Sequence, residues 1–563
     1  MTASRTGRSA LPLYVFLTLL VWGLFAADRG LFQDDASLLL WAQNHAHEPL
    51  RGLFAAAGAP TRRLLGIPFV LAYASGEPVL VLQALYGISW LLLGIALDAL
   101  VHALFPARRG LALLAGALVL TATSDLLTNS PIALGYNLSA LEFLAALIFA
   151  VRWVNGGGAR SLLLAGLLVN ASVFTTDGTV PAIALAPLLF WAARGRIDRR
   201  VVLASGFWAG VLVPHLALFL SFLLDPKSYA SVALVPLEPL DRAWNTFALF
   251  ANNFLPWQWV FDRPVWGDVP PSVIPAWVYA AAALAGTFAF VLAARGAETP
   301  GDGLPVGGTR REMAVLGVAL LMVVATNAAF AGVQFAEVFY RTNVVSRIPA
   351  SLAVALGASL LARRLRRPVL ALAVPAVFVA LGIAGGVERQ DFYLSEWRRH
   401  RHELLSLLDD TPRLVPGTDV VLLMNRTSPA FQATKAPYLA ASWANLLWGP
   451  AVVSHAFLWF ADQGTGCRTE DAGLVCWASS EERDAMALGA SKGTVLPWDK
   501  LLLFDFDPGE WRYRVAASFD GSRPAYDPAG RIAEGPPIPL ARHLLAGDRL
   551  LGKLLPERPL DRR

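Results

Sequence analysis

Eleven stretches of this chain are apolar enough to leave water, and they restrict what it can fold into more than any other feature. They lie near 11–27, 78–104, 111–127, 131–151, 161–175, 179–193, 201–224, 273–294, 313–333, 345–362 and 368–387. Most approach the ~20 residues that a helix needs to cross a hydrocarbon core of roughly 30 Å. Composition agrees, because only 16% of the 563 residues are charged and 55% are hydrophobic, whereas soluble domains carry about 25% charge. A polytopic membrane protein is expected. The segment 64–74 is too short to span and reads as a juxtamembrane or re-entrant piece. Residues 2–8 are too short and too weakly basic for a transit peptide, and 11–27 reads as a retained first helix.

The arginines orient the spans. With the N-terminus in the cytoplasm, the connections on the inner side hold Arg108 and Arg109, then Arg152 and Arg160, then Arg194, Arg196, Arg199 and Arg200. Arg295, Arg310 and Arg311 follow, and finally Arg363, Arg364, Arg366 and Arg367. The short connections on the other side, 128–130 and 176–178, have no arginine, and 334–343 has one. This asymmetry predicts an N-in, C-out protein of the plasma (inner) membrane. The net charge of +5 is therefore an orientation signal and not a nucleic-acid signal, since the basic residues fall in short clusters between apolar runs.

Three long regions face outward in this scheme: 28–77, 225–272 and everything after 387. The second is rich in aromatics and proline, with Trp257, Trp259 and Trp266 close together. Indole rings anchor segments at the interface, and stacking on a sugar is the other role open to them. Charge rises at Glu388 in a stretch that reads as an amphipathic helix leaving the membrane. Beyond it, short apolar runs at 419–424 and 501–506 are punctuated by Gly, Pro and Asp, as strands are. The expected architecture is an all-α polytopic membrane domain of about eleven helices over 1–387, then a small mixed α/β extracytoplasmic domain over 388–563. Cys467 and Cys476, the only two cysteines, read as a disulfide closing a short loop on the oxidising side. Two thiols without a nearby histidine are too few for zinc, and neither a metal nor a cofactor is expected.

No Gly-rich phosphate loop, nucleophile elbow or HExxH is present. Polar residues gather instead at the outward ends of the spans. The first outward loop opens on Asp34 and Asp35, continues as an amphipathic segment suited to lying in the membrane surface, and ends on Arg62 and Arg63. Two readings are open for each group. The acids either cap the helix or serve as a base; the arginines either anchor the chain at the headgroups or clamp a phosphate. Asp125 and Asn129 flank the third span's outer end, and Tyr136 and Asn137 begin the fourth. Asp177 lies in a tight turn, where it is a turn residue or a substrate ligand. Glu337, Tyr340 and Arg341 precede the tenth span, and Arg341 opposes the charge bias.

A first span, an outward loop opening with Gln33-Asp34-Asp35, a basic pair, alternating helices and a C-terminal outer domain together resemble the GT-C glycosyltransferases. The resemblance covers about residues 11–390 in architecture, with a weaker motif likeness at 163–176. It implies transfer of a sugar from a polyprenyl-phosphate carrier to a lipid, glycan or protein acceptor at the outer face, with Asp35 or Asp34 as base. No WWDYG-like stretch or convincing second DxD is present, which disfavours metal-dependent transfer of a whole oligosaccharide. On this reading Arg341 with Arg62 or Arg63 would hold the phosphate, and Tyr340, Asp177 and Asn129 would line the site. The groove between first loop and tail would take the acceptor.

Chemistry allows the same assignment. A sugar on a lipid phosphate has its leaving group already, so one base and fixed positive charge suffice. Direct displacement inverts the anomeric carbon. Adjacent carboxylates on a helix point about 100° apart, a poor glycosidase pair. Two rival classes remain. A transporter or flippase would use mid-membrane groups such as Glu142, His215 or an Asp98–His102 pair. A non-catalytic envelope assembly protein would tolerate loss of both acids.

Overall fold

The structure, a computed structural model, describes residues 10–31, 34–45, 62–124, 131–224, 238–261, 272–297, 308–331, 343–424, 437–449, 451–460, 467–476, 494–507, 510–517 and 526–555. Helices dominate. In chain order they are α1 (Ala10–Thr18), α2 (Asp34–His45), α3 (Ile67–Ala74), α4 (Pro78–Leu104), α5 (Arg109–Thr121), α6 (Leu134–Val154), α7 (Ala159–Thr175), α8 (Val180–Arg194) and α9 (Arg199–Leu224). There follow α10 (Pro239–Asn252), α11 (Gln258–Phe261), α12 (Ala276–Ala297), α13 (Gly308–Phe330), α14 (Asn343–Arg364) and α15 (Leu370–Asp410).

Eight helices among the described residues are long and apolar enough to cross a membrane, the first running as Ala10–Asp28 through a π turn. The three remaining expected spans are also helical but short. Arg109–Thr121 has 13 residues, and Ala159–Thr175 and Asp177–Arg194 meet at an angle of 118°. Thirteen residues rise only about 20 Å, less than the hydrocarbon core, so α5 is embedded among its neighbours and is buried at every position from Leu111 to Thr121. Glycine permits close helix approach. A Cβ at Gly386 would stand 2.7 Å from Val21, so α15 and the first span pack backbone to backbone there.

The helix ends sort into two polar layers. At one end Arg108 and Arg363 converge on Glu312, Arg108 donates to Ser359 Oγ at 2.9 Å, and Arg200 ties Trp153 and Gly157 carbonyls together. At the opposite end Asn252 donates to Ser124 O at 2.8 Å, Asn253 to Asn343 Oδ1 at 3.2 Å and Asn245 to Ala331 O at 3.4 Å. Arginine clusters mark one end and amide–hydroxyl contacts the other.

Helix α15 has 41 residues, or about 60 Å at 1.5 Å per residue, twice a bilayer core. It passes Glu388 without a break, and its second half forms the floor of the outer domain rather than a free amphipathic helix. Residues from Val387 to Trp397 are all buried. On this floor sits a four-stranded sheet, order β2-β1-β6-β7, made of β1 (Thr418–Met424), β2 (Val453–Phe460), β6 (Leu501–Asp507) and β7 (Arg512–Val515). The first three strands are parallel and β7 closes the edge antiparallel. A helix, α16 (Pro437–Trp448), makes the crossover from β1 to β2. A smaller antiparallel sheet, β3 (Cys467–Glu470), β4 (Gly473–Cys476) and β5 (Thr494–Pro497), carries the Cys467–Cys476 disulfide between directly opposed residues. Val421, Leu474, Leu496 and Leu503 join the two sheets in one apolar cluster.

The chain's end returns to the membrane domain through α17 (Pro539–Leu544) and the turn beyond it. The Asp28 carboxylate accepts from the backbone N–H of Arg549 and Leu550 at 2.6 Å each and of Gly552 at 2.9 Å. Arg398 donates to Asp548 at 2.6 Å, and Arg549 pairs with Glu77 at 3.0 Å.

Candidate active site

The first outward loop departs from its expected placement. Helix α2 does not lie bare on a membrane surface; it is packed against both α3 and the outer-domain helix α16. Asp35, Ala36, Leu39 and Ala42 are fully buried, the spacing of one helical face. Of the expected apolar run, Leu39 lies in this buried stripe while Leu38, Leu40 and Trp41 are partly exposed. Residues 46–61 of the first loop and 425–436 of the tail, between which the acceptor groove was expected, lie outside the described residues.

Both acids lie within the first turn of α2, so neither is the residue preceding it, and Asp35 is 0% exposed. The side chain of Asp34 lies outside the described residues, as do Asp125, Asn129, Glu337, Tyr340, Arg341 and Trp266 in full. Of the tryptophans, Trp257 is exposed while Trp259 is buried and donates its indole N–H to Asn252 O at 2.7 Å.

Arg62 and Arg63 have different fates. Arg62 Nε lies 3.5 Å from Asp177 Oδ2, whereas Arg63 is exposed. Asp177 also faces His215 Nε2 at 3.6 Å. The turn at 176–178 therefore brings together the first loop, the α7–α8 break and α9. The same turn touches two further helices: a Cβ on Gly178 would stand 3.2 Å from the Tyr136 ring and 3.5 Å from Val345.

Val345 links this polar cluster to a cavity. A small cavity of about 30 Å³ lies between α4, α6, α8, α13 and α14, with Leu97, Phe143, Leu147, Met322, Val345 and Leu352 in its wall. Every lining residue is apolar. Two residues past Val345 comes Arg347, 1% exposed on the first turns of α14. Its guanidinium lies 3.8 Å from the Trp90 ring centroid, a cation–π stack. Its Nη2 donates to Asn137 Oδ1 at 2.6 Å, and Asn137 in turn donates to Ser89 Oγ at 3.0 Å. Arg347 also borders a second, smaller cavity with Ser124, Asn253 and Trp259.

Sequence reasoning missed Arg347 because it falls inside the apolar window 345–362 and was absorbed into the span. The signal was nonetheless present: a strongly charged residue two positions into a predicted span is costly there and marks function or pairing. A second buried cation, Arg29, was also missed. It stacks on Trp22 at 5.1 Å, donates to Trp22 O at 2.7 Å, and burial pushes its guanidinium down to about 9 against the opposing effect of Tyr86, Tyr393 and Asp28.

Comparison with known proteins gives little to lean on. No protein-family model and no curated protein matches the chain. The structure is similar to that of ArnT from Cupriavidus metallidurans bound to undecaprenyl phosphate, over 75% of this chain and 83% of that one, at 16% identity and a TM-score of 0.36. Similarity at that level names no family. What the fold and site offer stands on their own geometry: an apolar cavity between helices, a buried guanidinium on another face of α14, and an arginine–aspartate pair at the turn that Val345 approaches.

The mid-membrane groups that suggested transport have local partners. Asp98 accepts from the Tyr14 hydroxyl at 2.6 Å rather than making its first contact with His102, and Glu142 accepts from Thr175 at 2.9 Å.

Proposed function

We propose that this protein is an integral-membrane glycosyltransferase that moves a sugar from a polyprenyl-phosphate carrier to a lipid, glycan or protein acceptor. One observation carries the reading: one helix, α14, lines an apolar cavity through Val345 and Leu352 and carries the buried Arg347 on another face, while Val345 also approaches the turn holding Asp177 and Arg62. An amphiphile with a long apolar tail and an anionic head matches that combination. Fixed guanidinium charge in a site shielded from water stabilises a departing phosphate more than it could in bulk solvent. Arg341 and Tyr340 remain candidates for the same task, and Asn129 for the sugar.

In the proposed reaction Asp35 (or its neighbour Asp34) takes the proton of the acceptor hydroxyl. The acceptor oxygen bonds to the anomeric carbon as the bond to the phosphate oxygen breaks, with inversion. Polyprenyl phosphate leaves with its charge held by Arg347 and by Arg62, which Asp177 orients. No general acid is needed, since the phosphate is a competent leaving group. The membrane is taken to be the plasma (inner) membrane, with the arginine-rich end in the cytoplasm and the 388–563 domain outside. Local pairing of Asp98 and Glu142 argues against a transport pathway through them. Profiling of lipid-linked sugars in a deletion strain tests the proposal. A polyprenyl-phosphate sugar should accumulate relative to the parent strain; an unchanged pool of every such species would overturn it.

A further inference from the structure

Helix α10 is built inside out for a helix at a protein surface in water. Leu240, Trp244 and Phe247 recur at the 4- and 3-residue spacing of one helical face and are 80%, 65% and 57% exposed. Its buried face carries Asn245, Leu249 and Asn252 instead. The large apolar groups thus point away from the protein while amides point in. Those amides are committed: Asn245 reaches the last described residue after α13, Ala331, and Asn252 reaches Ser124 just past α5. The next residue, Asn253, bonds to Asn343 at the start of α14. Three helix ends in the same polar layer therefore hold α10 level with the ends of the spans.

We infer that α10 is an in-plane membrane helix whose Leu240–Trp244–Phe247 face is seated in the lipid of the leaflet opposite the arginine-rich end. Lipid is the occupant favoured by position. The three amide contacts hold α10 level with the ends of α5, α13 and α14, and a Trp-bearing apolar face at that level meets the headgroup and acyl boundary. Arg242 falls on roughly the opposite side of the helix, at 200° from Leu240 by a rotation of about 100° per residue, and is exposed as well. An apolar face with a cation turned away from it is the pattern of an interfacial helix. Seating α10 in lipid also fixes the depth of the first turn of α14, since Ser346 and Asn343 both bond to Asn253.

This inference does not depend on the glycosyltransferase reading, and its test does not use activity. Both native cysteines are held in the one disulfide, so a single substitution supplies the only free thiol. Leu240→Cys, Trp244→Cys, Phe247→Cys and, as the control, Arg242→Cys are each spin-labelled in the full-length protein reconstituted in phospholipid vesicles. Folding of each variant is checked by gel filtration in detergent. Molecular oxygen, which concentrates in lipid, should relax the labels at 240, 244 and 247 several-fold more than a water-soluble nickel chelate does. The order should reverse at 242. Chelate access at 244 equal to that at 242 would place the face in water and overturn the inference. Exclusion of both relaxants, with dipolar broadening between labels, would assign the face to a second copy of the chain and overturn it equally.

Discussion

At the arginine-rich end, Arg108 and Arg363 share Glu312, and their side chains remain 23% and 21% exposed. At the other end Arg347 is 1% exposed, stacked on Trp90 and hydrogen-bonded to the Asn137 amide. The same residue type thus serves two purposes. Partly solvated arginines paired with acid tie helix ends together, each pair at little cost. A guanidinium withdrawn from water onto an aromatic face and a neutral amide is expensive to keep. On the proposed function its task is to receive the donor's phosphate.

That contrast can be broken by experiment. The largest effect is expected away from arginine altogether: Asp35→Asn should lower sugar transfer in isolated membranes by at least ~100-fold, the scale of a lost general base, with expression unchanged. Full activity of an Asp34→Asn, Asp35→Asn double variant would remove the proposed mechanism. Next comes Arg347→Lys, which keeps charge but loses the planar stack and fork, and should cost roughly tenfold or more in kcat/KM. Parental kcat/KM in that variant would return Arg347 to the class of anchors. Asp177→Asn should act more gently, raising the KM for the lipid-linked donor about threefold by loosening Arg62, on the scale of one weakened charged contact; an effect confined to kcat would contradict an orienting role. At the opposite end, Glu312→Gln should leave transfer unaltered while lowering the thermal midpoint in detergent by a few degrees, since it removes a mostly buried partner of two arginines. Loss of transfer there would mean the two ends are coupled. Smallest of all, Cys467→Ser should leave transfer at its parental rate and change only the protease resistance of the outer domain, by an amount reflecting about 2–3 kcal/mol for so short a loop.

What the sequence settled alone was everything governed by local composition. Each of the eleven apolar windows is helical over much of its length, because in lipid a backbone must satisfy its own hydrogen bonds. The strands at 418–424 and 501–507 and the pairing of two solitary cysteines were equally legible, since each depends on short-range pattern or on mere count. Tertiary structure decided which polar residues meet. No spacing rule links Arg62 to Asp177 or Arg347 to Asn137, pairs 115 and 210 residues apart. Helix packing alone brings such pairs together. It also decided what covers each apolar face: the stripe on α2 meets protein, while the one on α10 is left exposed. A hydrophobic pattern states that a face must leave water, and only the folded arrangement says whether protein or lipid receives it.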